Sequence, residues 1–364
     1  MRIGLLIYGS LDTVSGGYLY DRQLVNYLEN HGDQVEVISI PHRDYSRSLL
    51  DNLSVGLYKK LSNLPVDILL QDELNHPSLF YLNQRIKGAV NYPIISIVHH
   101  LRSSEDLPAW QKPFFRTVER TYLKSVDGFV FNSQNTCKMV ENMAGPRNNR
   151  VIAHPAGDRF NPEINREMIE SRANKEGPLR ILFLGNVIPR KGLHILLEAL
   201  GKIDENDWKL SVVGSMNFNA RYGRMIKQIA KDDRLDNHIE FFGSLGEEEL
   251  IRILSTSHIL AVPSYLEGYG IAYLEGMGFG LPAIGTASGG ASEFITHDVN
   301  GYLVPRGNVS FLAECISRLI DDRELLIAMS LRARDTYLLH PTWESSMKRI
   351  RDFLEENTDP ERVR

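Results

Sequence analysis

Residues 259–276 read ILAVPSYLEGYGIAYLEG. The run Ile259–Val262 is short and apolar, which is typical of a buried strand, and a proline ends it. Gly268 and Gly270 indicate a turn, and the apolar residues after them predict a helix at Ala272–Met277. A strand, a glycine-bearing turn and a helix in this order are the repeating unit of a parallel sheet covered by helices.

Two glutamates in this stretch can carry chemistry. Glu267 lies in the turn, and Glu275 follows eight positions later, about two turns into the predicted helix. Backbone N–H groups at the start of such a helix lack intrahelical partners, so they bind anions or sugar hydroxyls. Glu275 can accept hydrogen bonds from two neighbouring hydroxyls, such as those of a ribose. The alternative interpretation is an ordinary helix start with two surface glutamates.

The same alternation of strand and helix patterns extends along the whole chain and predicts an α/β protein with two Rossmann-like domains, whose parallel sheets face a central cleft. The predicted organisation is an N-terminal acceptor-side domain at 1–165, a linker at 166–178, a C-terminal nucleotide-sugar-binding domain at 179–342, and a C-terminal helix at 343–364 that packs on the N-terminal domain.

Three further segments follow predicted strands. Arg190 and Lys191 lie in the turn GNVIPRKG at 185–192, where two cations suit a diphosphate, or else are solvated at a helix start. Gly16 and Gly17 let the chain approach a ligand closely after the first strand, although a plain turn fits equally. His99 ends the strand Ile94–Val98, at the edge where ligands of such sheets bind; a histidine satisfied by backbone is the alternative.

Composition excludes several classes of protein. With 41 basic and 46 acidic residues the chain of 364 residues has a net charge of -5, which disfavours nucleic-acid binding. Its two cysteines, Cys137 and Cys315, favour a reduced cytoplasmic setting without a zinc site. We expect no signal peptide and no membrane helix. Neither a dinucleotide fingerprint nor a P-loop is present, and no D-x-D pair predicts a bound metal.

Together these segments resemble the retaining GT-B glycosyltransferases of glycosyltransferase family 4, over most of the chain from Gly16 to about Val304. The resemblance implies a GT-B fold and the transfer of a hexose-type sugar from a nucleotide-diphosphate sugar to an acceptor hydroxyl, with no cofactor and no metal. The acceptor would be a saccharide, a lipid-linked sugar or a small molecule. The oligomeric state is not encoded in the motifs.

The resemblance also assigns roles to individual residues. Glu267 would contact the donor sugar, and His99, with His100 as the alternative, would lie near the reacting centre. The remaining implied contacts are the sugar and diphosphate for the backbone of Gly268, Tyr269, Gly270 and Ile271, the ribose for Glu275, the diphosphate for Gly16, Gly17, Asn186, Arg190 and Lys191, and the base for Gly243, Ser244 and Leu245. Asn186 stands where the family has an arginine, and Arg190 either replaces that charge or points away.

Three alternatives stay open at this level. One is a non-catalytic nucleotide-sugar-binding subunit, which Asn186 favours; another is a different GT-B activity, such as an epimerase or a phosphorylase. The third concerns structure and not activity: the segment Trp110–Lys124 mixes aromatic and basic residues. This segment is predicted to be either an interfacial helix at an anionic lipid surface or a domain helix whose aromatic residues pack inward. Glu119 lies among its cations and would weaken attraction to lipid.

Overall fold

The computed structural model describes residues 1–105, 107–232 and 235–358. Two compact units divide the chain. The first consists of Met1–Pro155 together with the described residues from Pro341 onward, and the second of Ala156–His340. Both units are α/β, as the sequence predicts, and each contains one six-stranded sheet in which all pairings are parallel.

The sheet of the first unit has the order β2-β1-β3-β4-β5-β6. Its strands are β1 (Arg2–Tyr8), β2 (Gln34–Ile40), β3 (Ile68–Asp72), β4 (Ile94–Val98), β5 (Gly128–Phe131) and β6 (Arg150–Ile152). The helices up to Pro155 are α1 (Gly16–Asn30), α2 (Tyr45–Leu49), α3 (Val55–Ser62), α4 (His76–Leu79), α5 (Leu82–Ile86), α6 (Lys112–Leu123) and α7 (Gln134–Ala144). Central strands β3, β4 and β5 are buried along their whole length, because helices cover both faces of a parallel sheet.

The sheet of the second unit has the order β12-β11-β10-β7-β8-β9. Its strands are β7 (Leu179–Leu184), β8 (Trp208–Val213), β9 (Ile239–Gly243), β10 (Ile259–Ala261), β11 (Ala283–Thr286) and β12 (Gly301–Val304). Its helices are α8 (Arg166–Asn174), α9 (Leu193–Leu200), α10 (Ala220–Asp232), α11 (Glu247–Thr256), α12 (Ile271–Gly278), α13 (Val309–Asp321) and α14 (Arg323–Leu339).

Each sheet has one place where the strand order reverses. In the second unit the chain adds strands outward from β7 in one direction and from β10 in the other, and in the first unit β1 and β3 flank the reversal. Loops at the carboxyl ends of such a pair diverge to opposite faces of the sheet and leave a crevice, where open α/β sheets bind their ligands. The topology therefore directs attention to the turns after β7 and β10, and to those after β1 and β3.

The predicted linker at 166–178 is wrong for most of its length, because α8 occupies it. Ile169 and Ala173 are buried in the core of the second unit. Arg172 donates hydrogen bonds to the carbonyl oxygens of Phe279 and Gly280 at 2.9 and 3.0 Å. These partners are distant in sequence, so a charged segment without a strong apolar pattern is ordered by tertiary contacts.

The last helix, α15 (Trp343–Thr358), belongs to the first unit. The ring of Trp343 contacts that of Tyr20 on α1 edge to face, with 5.8 Å between ring centroids. Arg351 Nε lies 2.7 Å from Oδ2 of Asp33, a carboxylate that also pairs with the N-terminal ammonium of Met1. Among the residues described, no helix combines the length and the apolar character that crossing a membrane requires.

Candidate functional site

Two turns at the reversal point of the second sheet are joined by hydrogen bonds. The turn at 185–192 follows β7, and the turn at 263–270 follows β10. Tyr265 N donates to the carbonyl oxygen of Arg190 at 2.8 Å, and Arg190 Nη1 donates to the carbonyl oxygen of Leu266 at 2.6 Å. The two turns, which are far apart in the sequence, therefore form one surface. The side chain of Arg190 hydrogen-bonds to the backbone of the second turn, so its positive charge lies next to that turn.

Gly192 allows this close approach. Its φ is +71°, in the left-handed region, and it precedes the first residue of α9. A Cβ at this position would lie 2.2 Å from the carbonyl oxygen of Pro263, well inside contact distance. Only glycine fits both the backbone conformation and the space, so the residue that ends the first turn is fixed by the backbone of the second.

Lys191 and Glu267 form an ion pair across the two turns. Lys191 Nζ lies 2.6 Å from Glu267 Oε2, and Ser264 Oγ donates to the same oxygen at 3.1 Å. The two side chains are 15% and 14% exposed, so both are largely buried. Burial would raise the pKa of Glu267, but the charges of Lys191 and Arg190 outweigh it and lower the pKa. Glu267 is therefore an ionised carboxylate beside a cation.

The backbone after Glu267 is held by the loop that follows β11. Gly290 N donates to the carbonyl oxygen of Glu267 at 3.2 Å. Gly270 is the N-terminal cap of α12, which begins at Ile271, and leaves the first N–H groups of that helix without a side-chain cap. Tyr269 is 4% exposed and its hydroxyl lies 2.8 Å from His340 Nε2, so its side chain packs inside the unit. The ligand contacts predicted for this segment would therefore be made by backbone groups, those of Gly268, Tyr269, Gly270 and Ile271.

Glu275 lies on α12 and is 4% exposed. Its Oε1 atom is 2.9 Å from Nη2 of Arg159, a residue that no sequence signal identified. Burial raises the pKa of Glu275 to about 7, although Arg159 acts in the opposite direction. A carboxylate with this pKa changes charge near neutral pH, so any ligand that hydrogen-bonds to its ionised form will bind in a pH-dependent way.

The predicted base-side residues connect to the first turn through Gly214. Gly214 N donates to the carbonyl oxygen of Gly243 at 2.7 Å. A Cβ on Gly214 would lie 2.0 Å from the carbonyl oxygen of Gly185, which directly precedes Asn186. Next to Gly243, Ser244 is exposed and Leu245 is partly buried. The ends of β7, β8 and β9 therefore lie side by side in the order that the strand arrangement requires.

In the first unit, the structure brings Gly17 and His99 together. Gly16 and Gly17 begin α1, and the side chain of Ser15 caps the helix by accepting a hydrogen bond from Tyr18 N at 3.3 Å. A Cβ on Gly17 would lie 3.2 Å from Cδ2 of His99. His99 is 7% exposed. His100 points to a different partner, with its Nε2 atom 3.0 Å from Oε1 of Glu105.

Sequence reasoning missed the buried carboxylates next to His99. Asp21 Oδ1 lies 3.3 Å from His99 Nε2, and the ligand atoms of Asp21, Asp72 and His99 all lie within 4.8 Å of one another. They are close enough to share a proton or a cation. Asp72 ends β3, at the reversal point of the first sheet, and that position is the signal by which it could have been found. A second buried group of this kind consists of Glu73, His76 and Glu119.

Comparison with known proteins gives one family and several relatives. Residues 165–336 match the family model described as glycosyl transferases group 1. A GDP-mannose-dependent alpha-(1-6)-phosphatidylinositol monomannoside mannosyltransferase of Mycobacterium tuberculosis is 27% identical over 254 residues, which cover 66% of this chain and 65% of that protein. The chain thus spans slightly less than two thirds of this relative's length.

Solved structures agree on the fold. Sucrose-phosphate synthase from Thermosynechococcus elongatus superposes with a TM-score of 0.80 at 18% identity, covering 98% of both chains. HepE from Anabaena, in complex with UDP and glucose, gives a TM-score of 0.76 at 18% identity, covering 98% of this chain and 99% of that one. The family match lies over both turns of the second unit, and the fold is GT-B. In sequence the second unit is similar to the group 1 glycosyltransferases, and the relatives and the fold are consistent with the family 4 type.

Proposed function

We propose that this protein is a retaining glycosyltransferase, which moves a hexose-type sugar from a nucleotide-diphosphate sugar to an acceptor hydroxyl. The observation that carries the proposal is the contact between Lys191 and Glu267 at 2.6 Å, at the reversal point of the second sheet. It places a cation suited to a diphosphate directly beside a carboxylate suited to sugar hydroxyls. Both groups are held by turns whose backbones are hydrogen-bonded to each other.

In this proposal the donor is bound by groups of opposite character. Glu275 accepts hydrogen bonds from the ribose hydroxyls, while Lys191, Arg190 and the free N–H groups at the start of α12 bind the diphosphate. The negative charge on the diphosphate grows as the bond to the sugar breaks, so these cations stabilise the transition state more than the ground state. They supply the charge that a metal ion provides elsewhere, and we therefore expect turnover to withstand a chelator.

Retention follows if the acceptor attacks the face from which the diphosphate leaves. The bond from the anomeric carbon to the diphosphate oxygen breaks, and a bond from that carbon to the acceptor oxygen forms. The proton of the acceptor hydroxyl passes to the departing diphosphate oxygen. Glu267 orients the sugar, and its ionised carboxylate, paired with Lys191, offsets positive charge on it. The roles of Gly16, Gly17 and His99 toward the donor stay predictions.

The substitution Glu267→Gln tests the proposal. It preserves the shape of the side chain and removes the charge that pairs with Lys191. We expect nucleotide release from a panel of UDP-, GDP- and ADP-sugars, offered with saccharide and lipid-linked acceptors, to fall about a hundredfold or more, with the circular dichroism spectrum unchanged. Glu314→Gln, an exposed change on α13, is the matched control. Normal turnover in Glu267→Gln would remove Glu267 from the mechanism.

A non-catalytic binding subunit is the second candidate, and Asn186 is the observation that favours it. Asn186 occupies the position where the family has an arginine, so one cation of the diphosphate site is missing. A subunit of this kind would bind a nucleotide sugar without releasing nucleotide, whichever acceptor is offered. An epimerase would instead convert one nucleotide sugar into another, and a phosphorylase would carry pyridoxal phosphate with its own absorbance. Product analysis on the same panel separates these outcomes.

We further propose that the first unit touches an anionic lipid surface and that the acceptor is sugar or lipid-linked. The relative from M. tuberculosis acts, by its name, on a phosphatidylinositol mannoside. On α6 the aromatic residues mostly pack inward, yet Phe114 and the preceding Trp110 are 50% and 79% exposed. Lys112 and Arg116 are exposed beside them, whereas Glu119 is buried. The expectation that Glu119 weakens attraction to lipid stays a prediction.

A further inference from the structure

Buried ionisable side chains surround His99 in the first unit. Asp21 is 0% exposed, Asp72 and Glu73 are each 1% exposed, and His99 is 7% exposed. The carboxylates are therefore closed to solvent, whereas His99 keeps a small exposed area. A substrate can touch His99 and cannot touch Asp21. Any influence of Asp21 on a bound substrate must pass through the ring of His99.

The helix α1 explains how Asp21 reaches this ring. Asp21 is four residues after Gly17, so both lie on the same face of the helix, one turn apart. Gly17 lies against the Cδ2 edge of His99, while Asp21 Oδ1 is 3.3 Å from its Nε2 atom. The ring of Tyr20 meets that of His99 edge to face at 5.3 Å. The first two turns of α1 thus fix the orientation of the imidazole.

The charges around His99 are mostly negative. They are Asp21 on α1, Asp72 at the end of β3, Glu73 directly after it, and Glu105, which is paired with His100. The phenol of Tyr20 is neutral because burial raises its pKa, and the charge of Arg349 on α15 acts on that phenol. Buried carboxylates are costly unless a cation balances them. Burial alone would lower the pKa of His99, but the hydrogen bond and charge of Asp21, with the charges of Asp72 and Glu73, raise it to about 9.

We propose that Asp21 is a positioning residue, which holds His99 as a doubly protonated imidazolium in one orientation. The inference rests on the proposed function, because it gives His99 the role of a hydrogen-bond donor toward the substrate. An imidazolium has no free lone pair, so it cannot accept the proton of the acceptor hydroxyl. That proton must leave by another route, and the departing diphosphate oxygen is the acceptor that the proposed transfer already provides.

The protonation state can be measured without any substrate. Two-bond proton–nitrogen NMR spectra of the imidazoles report the charge of each histidine, and the spectrum of His99→Gln identifies the His99 signals. In the wild-type protein we expect a His99 pKa near 9. In Asp21→Asn it falls to below about 7, near or under the ordinary value for histidine. The exposed change Glu29→Gln, on the same helix, should leave it unaltered.

A second variant keeps the test decisive if Asp21→Asn does not fold. Asp72→Asn removes a neighbouring charge without touching the hydrogen bond to Nε2, so we expect a smaller fall in the pKa of His99. A His99 pKa near its ordinary value in the wild-type protein, or no change in either variant, would overturn the inference. A metal ion bound at stoichiometric amounts through His99, detected by elemental analysis, would overturn it as well.

Turnover distinguishes a donor from a base. A base with a pKa near 9 would be almost fully protonated at neutral pH, and its rate would rise roughly fiftyfold from pH 7 to pH 9. At saturating donor, the imidazolium instead predicts a rate that is flat below about pH 8 and falls above about pH 9, with the fall displaced to lower pH in Asp21→Asn. If no donor supports turnover, the proposed function fails while the NMR titration still decides the state of His99.

Discussion

Donor binding should weaken as the pH falls through neutrality, because Glu275 must be ionised to accept two hydrogen bonds from a ribose. Its pKa in the free protein is about 7, raised mainly by burial. A carboxylate that accepts two such hydrogen bonds has a pKa well below that value. Binding therefore lowers the pKa of Glu275, and protons compete with the nucleotide sugar for this site.

The size of the effect follows from that pKa. At about pH 8 roughly nine-tenths of the free protein carries the ionised Glu275, and at about pH 6 roughly one-tenth does. The apparent dissociation constant should consequently increase about tenfold between these two pH values, which corresponds to about 1.4 kcal/mol. At neutral pH, donor binding should also release about half a proton.

Isothermal titration calorimetry measures both quantities. A nucleotide sugar is a better ligand than a nucleoside diphosphate here, since its phosphates do not titrate in this range. Titrations in buffers with different ionisation enthalpies give the number of protons released. Glu275→Gln should bind more weakly and lose the pH dependence, while the exposed change Glu198→Gln should retain it. Equal affinities at both pH values in the wild-type protein, or an unchanged pH dependence in Glu275→Gln, would refute the reasoning.

Three other outcomes follow from the structure. Gly192→Ala should lower the stability of the second unit by about 3 kcal/mol, because the backbone at this position is left-handed and a Cβ would overpack it. Gly201→Ala, the control at a φ of -64°, should shift the melting temperature little. Equal melting temperatures of the two variants would contradict this prediction. Burial and a nearby carboxylate raise the pKa of Glu119 to about 7, above its unfolded value. The free energy of unfolding of the wild-type protein therefore falls by up to about 3 kcal/mol as the pH rises through 4.5 to 7. Glu119→Gln stays neutral, so it should be more stable than the wild-type protein in urea unfolding at pH 8 and much less so at pH 5. Replacing Trp110 and Phe114 by serine should reduce sedimentation with anionic vesicles and leave the low binding to neutral vesicles unchanged; undiminished sedimentation would argue against the lipid contact.

Local patterns were sufficient to predict the fold. The helix at 193–200 has the predicted bounds, because its apolar spacing and flanking glycines are local features. The two turns of the second unit could likewise be identified from residue types and from their places after strands. Their contact followed from topology, since the strands that precede them are neighbours at the reversal point of the sheet.

The parts that sequence did not predict depend on partners far away in the chain. The sequence predicts a linker where α8 lies, because contacts that stabilise this helix come from Phe279 and Gly280, far away in the chain. Arg159 gave no sign that it pairs with Glu275. In the sequence, Asp21 is indistinguishable from an ordinary polar residue of a helix. Only the fold shows that it lies beside His99, which follows β4. Single charged residues carry information about a site only after the fold brings them together.

The central claim is that the turns at 185–192 and 263–276 bind the same donor. Hydrogen–deuterium exchange with saturating nucleotide sugar tests it most directly, since ligand contact slows exchange at backbone amides that form the site. We predict slower exchange in both segments of the wild-type protein, and less protection of both in Lys191→Ala. Protection confined to other segments, or protection of one turn without the other, would contradict the account.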